Sequence, residues 1–279
     1  MKTLITNVQV AQPAVIFTDL DGSLLDHDDY SFAAAADALD RINVLGIPLI
    51  INSSKTFTEI RSLQHLLGIC QPFISENGAA IHWPARVGSE LEWFSQALVP
   101  GRESVVEVLA EFRQSGYQFT GFADCTIEEI AQLTGLSNAQ AAQAANRGYS
   151  EPLVWHGSQE SLGGFCRQLS PHQLCAHQGG RFLTVIGNTN KAHAMSELIR
   201  LFGYGERLII ALGDSPNDEA MLNAADIAVV IKSAKSAQLS VLAPKKIMTT
   251  LLPGPAGWQD AMSTILMQLT QPVTGETNG

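Results

Sequence analysis

The sequence predicts an α/β fold, a Rossmann-like parallel-sheet core with an inserted α+β domain. Three observations predict it. Short apolar runs alternate with helix-length amphipathic stretches over residues 15–83, the same alternation returns after residue 189, and the stretch between has a different texture. Strand, helix, strand, helix, strand implies parallel pairing with right-handed crossovers, because a parallel pair needs a long connection. The two stretches read as halves of one sheet. They set the expected domains at 1–85 (first part of the core), 86–188 (inserted domain) and 189–279 (second part of the core).

Each element has a local reason. VIFTDL, from Val15, is an apolar run suited to a strand buried on both faces. The Ala- and Leu-rich FAAAADALDRINVLG has helical spacing and ends on Gly46, as a helix C-cap would. IPLIIN is a second buried run. Thr56 and Glu59 have the spacing of a capping box, so a helix runs from there to about Leu67 and stops at Gly68. PFISENGAAIHW reads as strand, Asn-Gly turn and strand, a hairpin. Later, a helix follows Lys191, RLIIALGD is a strand ending in aspartate, NDEAMLNAA is a helix and DIAVVI another strand. In the inserted region, Thr126/Glu129 and Ser137/Gln140 are two further capping-box spacings, the second opening an alanine-rich helix that ends near Arg147. Gly-Gly pairs at 163–164 and 179–180 read as punctuation, and the tail QPVTGETNG as frayed.

Composition narrows the function. The 279 residues are 46% hydrophobic and 16% charged, which is globular rather than disordered. A formal net charge of −10 argues against a nucleic-acid partner bound through its phosphates. It leaves room for an anionic small substrate, since a metal ion or a few focused cations reverse the local field. The N-terminus lacks the pattern of a signal peptide, and no apolar run approaches bilayer-spanning length. Cys70, Cys125, Cys166 and Cys175 are scattered without a CxxC pair and read as reduced thiols. These features predict a cytoplasmic location, no membrane partner, and an oligomeric state that the sequence leaves open.

Four motifs carry chemistry. Asp19 and Asp21, in DLDGS, fall just beyond the carboxyl end of a predicted strand, where open α/β sheets place ligands. Two carboxylates there suit a Mg²⁺ site, or a nucleophile paired with a general acid/base, and an Asx turn is the plain alternative. Gly22 relieves the backbone around such a ligand. Asn52-Ser53-Ser54-Lys55-Thr56 offers hydroxyls, N–H groups and an ammonium for an anion, or simple helix capping. Lys191, just inside a helix that begins near Thr189, opposes the macrodipole unless an anion compensates it, and a solvated lysine is the plain reading. GDSPND supplies Asp214, Asn217 and Asp218 at another strand end, where capping alone needs only one of them. A parallel sheet would gather all four motifs at one edge. Four carboxylates there require a divalent cation and nearby lysines, which points to Mg²⁺ and a phosphorylated small molecule.

In this order, DLDGS, Ser53, Lys191 and GDSPND resemble the four motifs of the haloacid dehalogenase (HAD) superfamily of phosphatases. The long insertion after ENGAAI resembles the branch with a large α/β cap. FTDLDGSLLD, SSKT, PFISENGAAIHWP, TGLS, RGYSEP, GGRF and GPAGW together resemble the mannosyl-3-phosphoglycerate phosphatases, over most of residues 15–258. The resemblance implies that Asp19 is the nucleophile, that Asp21 is the general acid/base, and that Ser53 and Lys191 hold the phosphoryl group. It implies Mg²⁺ on the Asp19 carboxylate, the Asp21 carbonyl and Asp214, supported by Asn217 and Asp218. Ser54, Lys55, Asn77, Arg147 and Arg181 are the candidates for the rest of the substrate, because an arginine grips a carboxylate such as that of a phosphoglycerate with two hydrogen bonds; a surface salt bridge is the plain alternative for either arginine. Ser23 stands where the motif usually has Thr, and Ala192 where Gly is common after the lysine. A general sugar-phosphate phosphatase, a phosphomutase and a non-catalytic binding protein remain the alternatives.

Overall fold

The computed structural model describes residues 13–179 and 181–270. The readings of the N-terminal leader pattern, the polar tail and Gly180 therefore fall outside the described residues. The first element among the described residues is β1 (Ala14–Thr18), buried along its length, then α1 (Ala36–Val44), after which Gly46 turns at φ 64°. Next come β2 (Leu49–Asn52) and α2 (Phe57–Leu66), whose capping box between Thr56 and Glu59 is complete in both directions. β3 (Phe73–Ser75) and β4 (Ala80–Val87) form the expected hairpin, which β5 (Glu90–Ala97) extends. α3 (Arg102–Gln114), β6 (Phe119–Gly121), α4 (Ile127–Thr134) and α5 (Asn138–Ala145) follow, with Thr126 and Ser137 capping the last two helices as their spacing predicts. β7 (Ser150–Trp155), α6 (Gln159–Leu169), β8 (Leu174–Gln178) and β9 (Leu183–Gly187) lead to α7 (Lys191–Phe202). The last elements are β10 (Leu208–Gly213), α8 (Glu219–Asn223), β11 (Ile227–Lys232), β12 (Lys246–Pro253) and α9 (Gly254–Leu269).

One reading is corrected. Gly163 and Gly164 do not punctuate a loop; both lie inside α6. Each glycine costs a helix about 1 kcal/mol relative to alanine, but packing of the apolar face outweighs that. Ser158 caps the helix, Phe165 and Leu169 are buried, and a Cβ at Gly164 would stand 3.4 Å from the Tyr117 hydroxyl.

The fold class is mixed α/β, with a mostly parallel central sheet and a second, antiparallel sheet. Compactness divides the chain into two units, one running to Ile50 and resuming at Ile199, the other Ile51–Leu198. In the first, β12, β11, β10 and β1 lie side by side and parallel, and Ile16 N–H donates to Pro48 O at 2.9 Å. α9 buries Trp258, Met262, Ile265 and Leu266 and packs beside α1, β11 and β12.

In the second unit β2 pairs with β3 in parallel, and β3, β4 and β5 run antiparallel. Its other sheet has the order β6-β7-β9-β8, all antiparallel. Val105, Leu109 and Phe112 of α3 and Phe165 and Leu169 of α6 share a core with Phe119, Leu153 and Val185 from that sheet. Among the described residues no helix is long and apolar enough to cross a membrane.

Candidate active site

The first unit gathers acids. Asp19 follows β1, and its N–H donates to Leu212 O at 2.9 Å, so the end of β1 is fixed to β10, which delivers Asp214. Asp19, Asp214 and Asp218 are all buried, and each offers an oxygen within 4.8 Å of the others. At that spacing each pair of negative charges repels by roughly 3 kcal/mol at an effective dielectric near 20. Oxygen donors in this arrangement fit a hard divalent cation, the chemistry that Mg²⁺ prefers.

The loop over this cluster is tight. Leu25 and Ser23 N–H both donate to Leu20 O, and Gly22 N–H to Leu25 O. Gly22 has φ 80°, and a Cβ there would strike Asp214 Oδ2 at 2.8 Å, so only glycine lets the chain carrying Asp21 pass so close. Asp218 Oδ2 accepts from the N–H groups of Asp214 and Ser215, both at 3.1 Å, and shapes the turn. Asn217 accepts from Ser215 Oγ at 2.5 Å.

Sequence reasoning missed a support behind Asp19. Thr18 Oγ1 donates to Asp19 O at 2.7 Å and accepts from the buried indole N–H of Trp258 at 3.0 Å. The GPAGW motif therefore ties α9 to the end of β1. A Cβ at Gly257 would lie 2.1 Å from Leu252 O, which explains the small residue next to the tryptophan.

The second unit gathers the anion-binding candidates. Ser53 follows β2 and is fully buried; its O accepts from Asn77 N–H, while Lys55 O accepts from Glu76 N–H, both at 2.9 Å. Lys55 lies 3.9 Å from Glu59 on the next turn. Arg147 Nη2 donates to Ser54 O at 2.7 Å. Lys191 opens α7 and is 1% exposed, and its O accepts from Asn52 Nδ2 at 3.0 Å. Ser53 and Asn77 are thus joined backbone to backbone and Lys55 to Glu76 likewise, while the Arg147 side chain reaches Ser54 O and the Asn52 amide holds Lys191 O. His177 Nε2 contacts Thr189 O at 3.3 Å, and burial foremost, then the Lys191 charge, lowers its pKa against that bond.

Arg181 is elsewhere in this unit. Its Nη1 donates to Leu133 O and Thr134 O, capping the C-terminus of α4, where cationic donors satisfy the last carbonyls.

A family profile described as haloacid dehalogenase-like hydrolase matches residues 16–123 and 165–243. A glucosyl-3-phosphoglycerate/mannosyl-3-phosphoglycerate phosphatase of Persephonella marina is 35% identical over 266 residues, covering 91% of this chain and 98% of its relative. The chain belongs to the haloacid dehalogenase-like hydrolases. It is a HAD-family phosphatase, a phosphoric monoester hydrolase. Solved structures agree on the fold. BT1666 of Bacteroides thetaiotaomicron, a HAD phosphatase, superposes with a TM-score of 0.64 at 18% identity, covering 95% of this chain and 98% of its own. The HAD subclass IIB sugar phosphatase BT4131 superposes at 0.62 with 19% identity, covering 90% and 98%.

Within this HAD phosphatase the residue that sequence reasoning passed over is Glu76. The sequence places it in a hairpin turn, yet it is buried and its carboxylate accepts from the N–H groups at the start of β7. An acid placed before an Asn-Gly turn has no turn-forming role of its own, and that was the available signal.

Proposed function

We propose that the chain is a Mg²⁺-dependent phosphatase that hydrolyses a glycosyl-3-phosphoglycerate, foremost the mannosyl compound, to the glycosylglycerate and phosphate. The observation that supports this substrate is the 35% identity to the Persephonella marina enzyme over nearly the full length of both chains. In this reading an Asp19 oxygen attacks phosphorus, and the leaving alkoxide takes a proton from Asp21. A water then attacks the aspartyl-phosphate and gives a proton to Asp21 as the bond to Asp19 breaks, so both residues return to their starting states. Ser53 and Lys191 hold the phosphoryl oxygens, and Lys191 also restrains Asp19. The Asp19 carboxylate, the Asp21 carbonyl and Asp214 would hold the ion, with Asn217 and Asp218 supporting them. Bound Mg²⁺ supplies positive charge against the charge on the phosphoryl oxygens.

Ser54, Lys55, Asn77, Arg147 and Arg181 contact the remainder of the substrate in this reading, the arginines through N–H groups beyond those that bind carbonyls. Residues 86–188 act as the cap that excludes water. The enzyme works in the cytoplasm on a phosphorylated small molecule. The test is phosphate release by the purified protein with Mg²⁺ from mannosyl- and glucosyl-3-phosphoglycerate, with the organic product identified. Release of phosphate with formation of the glycosylglycerate is expected. Absence of release from any sugar phosphate or phosphoglycerate overturns the reading, and a phosphoryl group moved within the substrate rather than released marks a phosphomutase instead.

A further inference from the structure

The turn between β3 and β4 is unusual in its backbone. Glu76, Asn77 and Gly78 have φ values of 48°, 59° and 99°, three consecutive left-handed residues, one of them a glutamate. Such conformations persist where the surroundings over-determine them, and they cluster at functional sites. Here the surroundings are on every side. Gly78 has no room for a side chain, since a Cβ would meet Asn190 O at 2.4 Å, and Thr189 Oγ1 donates to Gly78 O at 3.1 Å. The turn is thereby fitted to the residues that open α7 and carry Lys191.

The Glu76 side chain reaches the other way. Its Oε1 accepts from Gly148 N–H at 2.8 Å. Its Oε2 accepts from Tyr149 N–H at 3.2 Å, Ser150 N–H at 2.9 Å and Ser150 Oγ at 2.6 Å. Arg147 Nε lies 3.6 Å from the same oxygen, and the two side chains are 7% and 2% exposed. A carboxylate taken out of water is retained when it is both paired and hydrogen-bonded, and Glu76 has an arginine and four donors. Its own N–H binds Lys55 O, its neighbour's N–H binds Ser53 O, and the arginine it neutralises binds Ser54 O. One residue therefore links the loop 53–55, the turn that faces Lys191, and the segment 147–150 that enters β7.

We propose that Glu76 is a positioning residue, locking the segment 147–150 to the loop 53–55 so that Ser53, Ser54 and Lys55 meet a phosphorylated ligand as one rigid piece with the start of β7. Its consequence for catalysis rests on the proposed phosphatase reading; the lock itself does not. Loss of the lock loosens two stretches more than 90 residues apart in sequence that one carboxylate and its arginine hold together. The Thr56 and Thr58 hydroxyls also donate to Gln143 O, at 2.9 and 3.2 Å, so α2 and α5 stay tethered when the carboxylate is neutralised.

The test is amide hydrogen exchange on the full chain, comparing wild type with Glu76→Gln, and with Ser150→Ala should the first variant fail to fold. Exchange on the order of tenfold faster is expected both at 148–150 and at 76–77, whose amides bind Ser53 and Lys55. Acceleration at 148–150 with 76–77 at the wild-type rate overturns the proposal. So does no acceleration in either stretch. In the same proteins, the inhibition constant of inorganic phosphate and the KM for a phosphoglycerate ester should rise about tenfold while kcat stays within roughly threefold. A parallel fall of kcat for every ester with unchanged KM would instead mark general damage and overturn the positioning role. Wild-type protein that turns over no phosphoglycerate defeats the functional reading, and leaves the exchange comparison intact because it needs no substrate.

Discussion

Two buried acidic centres in this chain are built from the same kind of group and solved differently. Glu76 is surrounded by protein donors, with Gly148, Tyr149 and Ser150 supplying hydrogen bonds and Arg147 a positive charge. Asp19, Asp214 and Asp218 converge on one another, with oxygens inside 4.8 Å, although Asp218 also takes two backbone N–H groups. The first arrangement stores stability in the chain itself. The second brings like charges together, which a bound cation would relieve. The difference teaches that burial of an acid does not by itself mark a reactive site; the identity of its neighbours does.

The contrast predicts opposite responses to neutralising a carboxylate. Asp19→Asn should lower kcat on the order of 10³-fold or more, by removing the nucleophile. In chelator-treated protein the same change should cost no more than about 1 kcal/mol, because the like charge that leaves the cluster offsets the partner that Lys191 loses. Retained turnover, or marked loss of stability without metal, would break the comparison. Glu76→Gln should do the reverse and cost about 3 kcal/mol in urea unfolding, since Arg147 is left buried without its partner. A variant as stable as wild type would show that Glu76 resembles the aspartate cluster after all.

A pH-dependent effect sharpens the description of the Glu76 region. His82 lies across three strands, its Nε2 2.8 Å from Ser75 Oγ and its Nδ1 2.6 Å from Ser95 Oγ. Burial lowers its pKa to about 4 from 6.5, partly offset by the Glu76 charge. The neutral ring is therefore favoured in the folded chain. Its contribution is complete above pH 6.5 and is lost as pH falls toward 4, because the unfolded chain takes up the proton first. The slope is about 1.4 kcal/mol per pH unit in that window. Unfolding free energies between pH 7 and 4 should fall less steeply for His82→Gln than for wild type, and equal slopes would remove His82 as the acid-sensitive group.

Legibility in the sequence followed distance along the chain. The capping boxes at Thr56, Thr126 and Ser137 and the turns at Gly46 and Gly68 were readable because each is decided within a few residues. Asp19, Asp214 and Asp218 were readable because apolar strands announce their own carboxyl ends. Glu76 was not, since its partners lie at 147–150 and nothing local requires them. Trp258 escaped for the same reason, its bond to Thr18 spanning most of the chain. The helix through Gly163 and Gly164 was hidden because tertiary packing overrode two poor helix formers. Arg181 is a substrate candidate by residue type and by the GGRF resemblance, neither of which shows the α4 carbonyls it caps.

The central claim, that the aspartate cluster of the first unit is a cation site, is tested most directly by calorimetric titration of Mg²⁺ into metal-free wild type and Asp214→Asn. The account predicts saturable binding of one Mg²⁺ to wild type. It also predicts a thermal stabilisation of about 3 kcal/mol at a hundredfold excess over Kd, with both effects lost in the variant. Equal Mg²⁺ binding by the two proteins, or none by wild type, would contradict it.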